Sequence, residues 1–273
     1  MDRAGLAELC GGTAGAGEPN ANLMPGANVV KQDIDFIMEG WEYKPGMVQA
    51  RLVQAARGRQ VIQMRVDLGV LQLEAVGRPD GVRPHGHATY LLYLREQARL
   101  VEKTDAKFVL TDEQCQEADR EFVQYYHRRI CWLALRHYQK AVADSDHTLA
   151  FMDFVKRCSP SDEYTQAHEQ YRGFVVFQRT QAAAAMQAES QHPDQAVDAV
   201  RDGIDQLREF FAAHGLEDQM DDDGMVQHLR RVEETLREEY GIKSTLSEQL
   251  AEAVAQEDYE KAARLRDELK RRN

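Results

Sequence analysis

Cysteine is scarce in this chain, and the signals of secretion or membrane insertion are missing. The four cysteines, Cys10, Cys115, Cys131 and Cys158, match no disulfide framework, zinc site or redox pair. Isolated thiols of this kind are typical of a reducing compartment, so we expect a cytoplasmic protein. No apolar run is long enough to cross a membrane, and residues 1–30 lack the basic and apolar segments of a secretory signal.

Positive charge is also in deficit. The chain has 34 Lys and Arg against 46 Asp and Glu, a formal net charge of −12. Because nucleic-acid binding needs a basic surface, we expect no direct contact with DNA or RNA. The segment Lys261–Arg272 is locally basic, but cations near the end of a helix also complement its dipole.

Signatures of catalysis and of bound cofactors are absent from the sequence. It contains no G-x-x-x-x-G-K-[ST] phosphate loop and no G-x-S-x-G, H-E-x-x-H or G-x-G-x-x-G motif. The acidic run before Gly224 does not fit a calcium loop, since Gly224 at the sixth position puts Arg230 where the twelfth-position carboxylate belongs. We therefore expect a non-catalytic protein with no catalytic residue, metal or cofactor.

The first ordered segment has the alternation of β-strands. Apolar residues alternate with polar ones over 48–54, 61–66 and 70–75, and short turn sequences separate the three runs. This pattern predicts a three-stranded antiparallel meander. A small sheet needs a cover on its apolar face, and we expect the predicted helix over 88–103 to provide it. The preceding residues, 1–33, are rich in Gly and Ala and predict a disordered tail.

A loop rich in proline, glycine and charge, residues 77–87, follows the meander. It concentrates four side chains that suit an anion or peptide ligand: Arg78, Asp80, Arg83 and His85. The alternative, which we favour, is a rigid structural turn whose charges are solvated or pair with one another.

From Thr111 onward the periodicity is helical. It predicts helices over 111–135, from about 136 to 159, over 163–190 and from 194 to about 210. Small residues at Ala183, Ala184, Ala196 and Gly203 make the last pair similar to a degenerate tetratricopeptide repeat, and an ordinary helical bundle is the alternative. The fold class is thus α+β, mostly α. The predicted organisation is a tail over 1–33, a meander with a covering helix over 34–105, a helical body over 106–214, an acidic linker over 215–224, a connecting helix over 225–241 and a helical hairpin over 242–273.

The hairpin carries the clearest functional signal. Thr245 and Glu248 have the spacing of a capping box, and Asp258 is placed to begin a second helix. So short a hairpin cannot bury much apolar surface by itself, which predicts a docking element. The predicted partner-binding residues are Leu246, Leu250, Val254, Tyr259, Ala262, Ala263, Leu265, Arg266, Asp267 and Leu269.

The segment from Leu250 to Leu269, with its core Tyr259-Glu260-x-Ala262-Ala263-x-Leu265-Arg266-Asp267, closely resembles the UVR motif. That motif is the helical hairpin through which the excision-repair proteins UvrB and UvrC bind each other, and it also occurs in some Clp-type chaperone ATPases. Residues 40–90 resemble the start of bacterial proteins described only as containing a UVR motif.

The resemblance implies an adaptor that docks on another UVR motif or forms a homodimer, in DNA repair or in protein quality control. The resemblance does not extend to the enzymatic domains of those proteins, because their helicase, ATPase and nuclease signatures are missing from this sequence. The alternative is an enzyme or small-ligand binder that uses the loop over 77–87.

Overall fold

The computed structural model of the protein describes residues 34–272. The chain divides into two units between Glu39 and Gly40. In the first unit, the described residues form one short helix, α1 (Asp35–Met38). All the features below lie in the second unit. The predicted tail over 1–33 lies outside the described residues.

The predicted meander is confirmed. Strands β1 (Gln49–Gln54), β2 (Gln60–Val66) and β3 (Gly69–Glu74) form one antiparallel sheet with β2 in the centre. Ile62 of β2 pairs with Leu52 on one side and Leu73 on the other, so three apolar side chains stand in a row on one face.

The cover on that face is not the predicted one. Ile62 and Leu73 belong to a cluster with Trp132 of helix α3 (Asp112–Ala134) and with buried alanines of two further helices. Helix α2 (Tyr90–Glu102), which was expected to cover the sheet, packs Tyr90, Leu91, Leu94 and Ala98 into a different cluster. Alternation along a strand identifies the apolar face but says nothing of which helix reaches it.

The helical body follows the predicted boundaries closely, with one error. The run over 163–190 was predicted as a single helix but forms two. The remaining helices are α4 (Tyr138–Cys158), α5 (Asp162–Glu169), α6 (Arg172–Glu189), α7 (Pro193–Ala213), α8 (Gly224–Tyr240), α9 (Leu246–Ala255) and α10 (Tyr259–Arg272).

Tertiary contacts account for the break between α5 and α6. The hydroxyl of Tyr164 donates to Asp119 of α3 at 2.8 Å, and His168 Nε2 lies 3.0 Å from the same carboxylate oxygen, so α5 is held against α3. Helix α6 turns away to pack between α4 and α7. At the corner, Arg172 pairs with Glu169 at 2.8 Å. Residues 162–172 contain no proline or glycine that would mark this bend. The helical periodicity alone therefore predicted one continuous helix.

Helices α6 and α7 approach closely at a glycine. A Cβ added at Gly203 would lie 2.0 Å from Thr180 Oγ1, so only glycine fits there. Ala184 and Ala196, two of the other small residues singled out above, are buried, and Ala183 is half-buried. Small residues therefore line the contact, as the repeat pattern requires, while the tetratricopeptide assignment itself stays a prediction.

The acidic segment over 215–224 is packed rather than wholly solvated. Met220 is buried and Leu216 half-buried in the cluster that joins α7 to α8. Asp223 then caps α8, accepting from the amides of Met225 and Val226. At the other end of α8, Gly241 takes a left-handed conformation with φ 63° and ends the helix.

The fold is α+β and mostly helical, as predicted. Among residues 34–272, no helix is both long enough and apolar enough to cross a membrane.

Candidate interaction site

Two short helices, α9 and α10, form a hairpin whose ends are fixed by local capping. Thr245 Oγ1 accepts from the amide of Glu248 at 3.2 Å, and Glu248 Oε2 accepts from the amide of Thr245 at 2.7 Å. Asp258 Oδ1 accepts from the amide of Lys261 at 3.0 Å and begins α10. Both caps predicted from the sequence are thus present, and they bring the two helices back to back.

The hairpin has a small apolar cluster of its own. Ala253 of α9 and Ala262 and Leu265 of α10 are buried, and Leu246 and Leu250 pack against them. Alanines at the centre of the contact let the two helices approach closely. Part of the predicted docking stripe is therefore used inside the hairpin, where it holds α9 and α10 together.

Other apolar side chains of the hairpin face solvent. Tyr259 is 68% exposed and Val254 is 51% exposed, and they flank the turn between the helices. Ala263 and Leu269 are half-buried. Large, exposed apolar side chains on either side of one turn form the kind of surface that marks a protein contact.

The two helices carry opposite charge. Residues 246–258 include four acidic side chains and no Lys or Arg, whereas residues 259–272 include six Lys and Arg against three acidic side chains. One of the exposed ion pairs of α10 joins Arg266 to Asp267 at 2.9 Å. The hairpin therefore presents an acidic helix beside a basic one.

Polar contacts connect the hairpin root, defined here as Thr245, Ser247 and Glu248, to the helical body. The hydroxyls of Thr245 and Ser247 donate to the two carboxylate oxygens of Asp198 on α7, at 2.6 and 2.8 Å. Glu248 Oε1 accepts from Arg237 of α8 at 2.6 Å.

The carboxylate of Glu248 also accepts from Arg201 of α7. Partial burial alone would raise the pKa of Glu248, but the hydrogen bonds from Arg237 and the Thr245 amide and the charge of Arg201 outweigh it and lower that pKa. A negative charge on Glu248 is thereby favoured, which keeps the root closed.

All ten predicted partner-binding residues lie on this hairpin, but they fall into two groups. One group forms the internal contact: Leu246, Leu250, Ala262 and Leu265. The other is at least partly accessible to a partner: Val254, Tyr259, Ala263, Arg266, Asp267 and Leu269. Periodicity could not separate the groups, because both lie at helical spacing.

The four candidate residues of the loop over 77–87 all make contacts within the protein. Arg78 is only 2% exposed and is surrounded by carboxylates, with its Nη2 2.5 Å from Glu117 Oε1 and its Nε 3.4 and 3.5 Å from Asp80 and Glu121. The exposed side chain of Arg83 donates to the carbonyl of Gly86 within the loop.

His85 stacks on Tyr93 of α2, with ring centroids 4.0 Å apart. Asp80 accepts from the amide of Val82 and from Gln124 of α3. These contacts match the structural alternative, in which the loop is a rigid turn that joins the sheet to the helices.

A buried polar network beneath this loop was not found from the sequence. Glu121 of α3 is fully buried and accepts from the amides of Tyr90 and Leu91 at 2.6 and 3.2 Å, so it caps α2. Arg128 forms a two-point ion pair with Asp144 of α4 at 2.7 and 2.8 Å. The only signal in the sequence was charged residues at apolar-face positions of α3.

These titratable groups are arranged for structure. Arg128 also donates to the carbonyls of Glu74 and Gly77, which fastens the end of β3 to α3 and α4. Within the described part of the chain, no group of three or more His, Cys, Asp or Glu side chains is placed to hold a metal ion.

Comparison with known proteins agrees with the hairpin. The model of the UvrB/uvrC motif matches residues 242–271. No curated protein and no solved structure matches the chain. The chain therefore carries a UVR motif, and the motif covers the hairpin root, α9 and all of α10 except its last residue. UVR motifs generally mediate protein interactions.

Proposed function

We propose that this chain is a non-catalytic adaptor whose C-terminal hairpin docks on a second UVR hairpin. The observation that carries the proposal is the exposure of Val254 and Tyr259 on a hairpin already closed by its own cluster. The capped and rooted hairpin holds these side chains ready for a partner, so little conformational entropy is lost on docking.

Charge supports a partner of the same kind. An acidic helix beside a basic one is complementary to a second such hairpin when α9 of one faces α10 of the other. A second copy of this chain meets that requirement, and a different UVR protein with the same charge pattern would meet it too. The resemblance described above points to UVR proteins that act in DNA repair or that work with a Clp-type ATPase.

The test compares the intact chain with the double variant Val254→Glu, Tyr259→Glu. Both substitutions are at exposed positions outside the internal cluster, so the hairpin stays folded. We expect at least about a tenfold loss of affinity, because exposed apolar side chains at the centre of an interface carry much of its binding energy. Mass in solution reports self-association, and affinity purification reports other partners.

The matched control is Leu68→Glu, Val82→Glu, which places the same charges at exposed apolar positions far along the chain. A chain lacking residues 242–273 serves as the full deletion. If the hairpin variant, the deletion and the intact protein have the same mass in solution and retain the same partners, the adaptor proposal is wrong. Co-purification of UvrB or UvrC assigns the repair role, and a Clp-type ATPase assigns quality control.

The ligand-binding alternative at the loop over 77–87 has less support. The Arg78 guanidinium is enclosed by carboxylates, and Asp80 and His85 contact other parts of the same unit. No geometry of these four residues favours a substrate over the structural contacts they already make.

A further inference from the structure

An open groove lies between α3, α6 and the two residues that precede β1, away from the hairpin. Its volume is about 380 Å³, near the lower end for small-molecule sites. The groove is apolar apart from one side chain, that of Gln178. The lining residues are Met47, Val48, Ile130, Leu133, Ala134 and Gln178.

The orientation of the Gln178 amide is fixed by its neighbour. Arg129 Nε donates to Gln178 Oε1 at 2.8 Å. A guanidinium has only donors, so the amide oxygen must face Arg129 and the amide nitrogen must face away from it. Gln178 is 8% exposed and lines the groove, and among residues 34–272 no acceptor contacts its Nε2. The groove therefore contains one oriented hydrogen-bond donor.

A buried positive charge lies behind that donor. Arg129 is 2% exposed, and its hydrogen-bond partners are the neutral side chains of Gln178 and Thr148. The carboxylate of Asp144 is engaged on both oxygens by Arg128. Burial lowers the pKa of Arg129 to about 10, while Asp144 and Tyr126 act in the opposite direction.

We propose that this groove binds a small monocarboxylate with an apolar body. The carboxylate accepts from Gln178 Nε2 and offsets the charge of Arg129, while the apolar body packs on Met47, Ile130 and Leu133. A neutral ligand of the same shape satisfies the donor but not the buried charge. This site is independent of the hairpin and of the adaptor proposal.

The probes are octanoate and 4-phenylbutyrate, each compared with its neutral amide by calorimetry on the full chain. We expect at least one acid to bind, and its amide to bind at least about fivefold more weakly, as the loss of a charge-assisted hydrogen bond requires. Failure of both acids to bind at millimolar concentration overturns the proposal, as does equal binding of acid and amide.

Gln178→Glu is the informative variant because it keeps the shape and the acceptor for Arg129. It pairs the buried guanidinium with a carboxylate and replaces the donor with an oxygen that repels the ligand. We expect raised thermal stability together with at least about a tenfold loss of acid binding. Gln187→Glu, on the same helix and outside the groove, is the matched control and should bind normally.

A second variant tests the groove without changing Gln178 or Arg129. Ala134→Trp fills the groove from an exposed position, so it should abolish acid binding without disturbing the core. Retention of binding in both Gln178→Glu and Ala134→Trp places the ligand elsewhere and overturns the proposal. A peptide with a free C-terminal carboxylate is the comparison ligand, and its binding in place of both acids also rules out a small-acid site.

Discussion

At the scale of single residues, the protein depends on a few side chains whose size or charge admits no substitute. Gly203 is one, because its missing Cβ makes room for Thr180. Glu121 is another, since its buried carboxylate caps α2 and lies 3.0 Å from His147 of α4. Such residues specify which helices meet, beyond the general apolar pattern.

Replacing Gly203 by alanine should destabilise the protein by about 1–3 kcal/mol, because the added methyl group overpacks the contact between α6 and α7. Urea unfolding measures the change. Gly224→Ala is the control, since nothing lies within 4 Å of a Cβ at that helix start. Equal stability of the two variants would show that α6 and α7 are not this close.

At the scale of elements, the hairpin has its own apolar cluster and is joined to the body mainly by interactions of charged groups. Its apolar cluster contains only its own residues, while the root contacts α7 and α8 through carboxylates, hydroxyls and guanidinium groups. Exposed and half-exposed ion pairs contribute little each and weaken with salt. The root should therefore loosen before the hairpin unfolds.

Glu248→Gln tests that order of events. Glutamine keeps the capping hydrogen bond but loses the attraction to Arg201 and Arg237, at a cost of about 1 kcal/mol or less. We expect several-fold faster amide hydrogen exchange over 242–250 and little change over 259–270, measured by mass spectrometry. Glu252→Gln, one turn further along α9, is the control. Identical exchange in the two variants would refute a charge-held root.

At the scale of the whole molecule, two buried tyrosines couple global stability to pH. Burial raises the pKa of Tyr125 to about 12, and Tyr90 has a pKa raised to about 12 for the same main reason. An unfolded tyrosine has a pKa near 10, so the folded state keeps its proton longer than the unfolded state. Stability is therefore complete below about pH 10 and falls as the pH rises toward about 12.

Tyr125→Phe should reduce this alkaline loss by up to about 3 kcal/mol, because phenylalanine has no proton to lose. The measurement is the free energy of unfolding in urea from pH 8 to 12. Tyr259→Phe, which removes the hydroxyl of an exposed tyrosine, is the control. A Tyr125→Phe profile that follows the wild type would contradict burial of the Tyr125 hydroxyl.

Local chemistry in the sequence predicted most of the elements. The capping residues Thr111, Thr245 and Asp258, the terminator Gly241 and the alternation of β1 to β3 each act within a few residues of chain, so they can be recognised without a fold. The UVR motif is also local, and the sequence located the hairpin correctly for that reason.

Contacts between distant segments could be assigned only from the fold. No pattern in the sequence indicated that α3 rather than α2 covers the sheet, or that the chain bends between α5 and α6. It also could not divide the apolar residues of the hairpin into buried and exposed groups, nor show that Gln178 lines a groove with Arg129 bonded behind it. Periodicity reports that a side chain has a buried neighbour, and only the fold determines which neighbour it is.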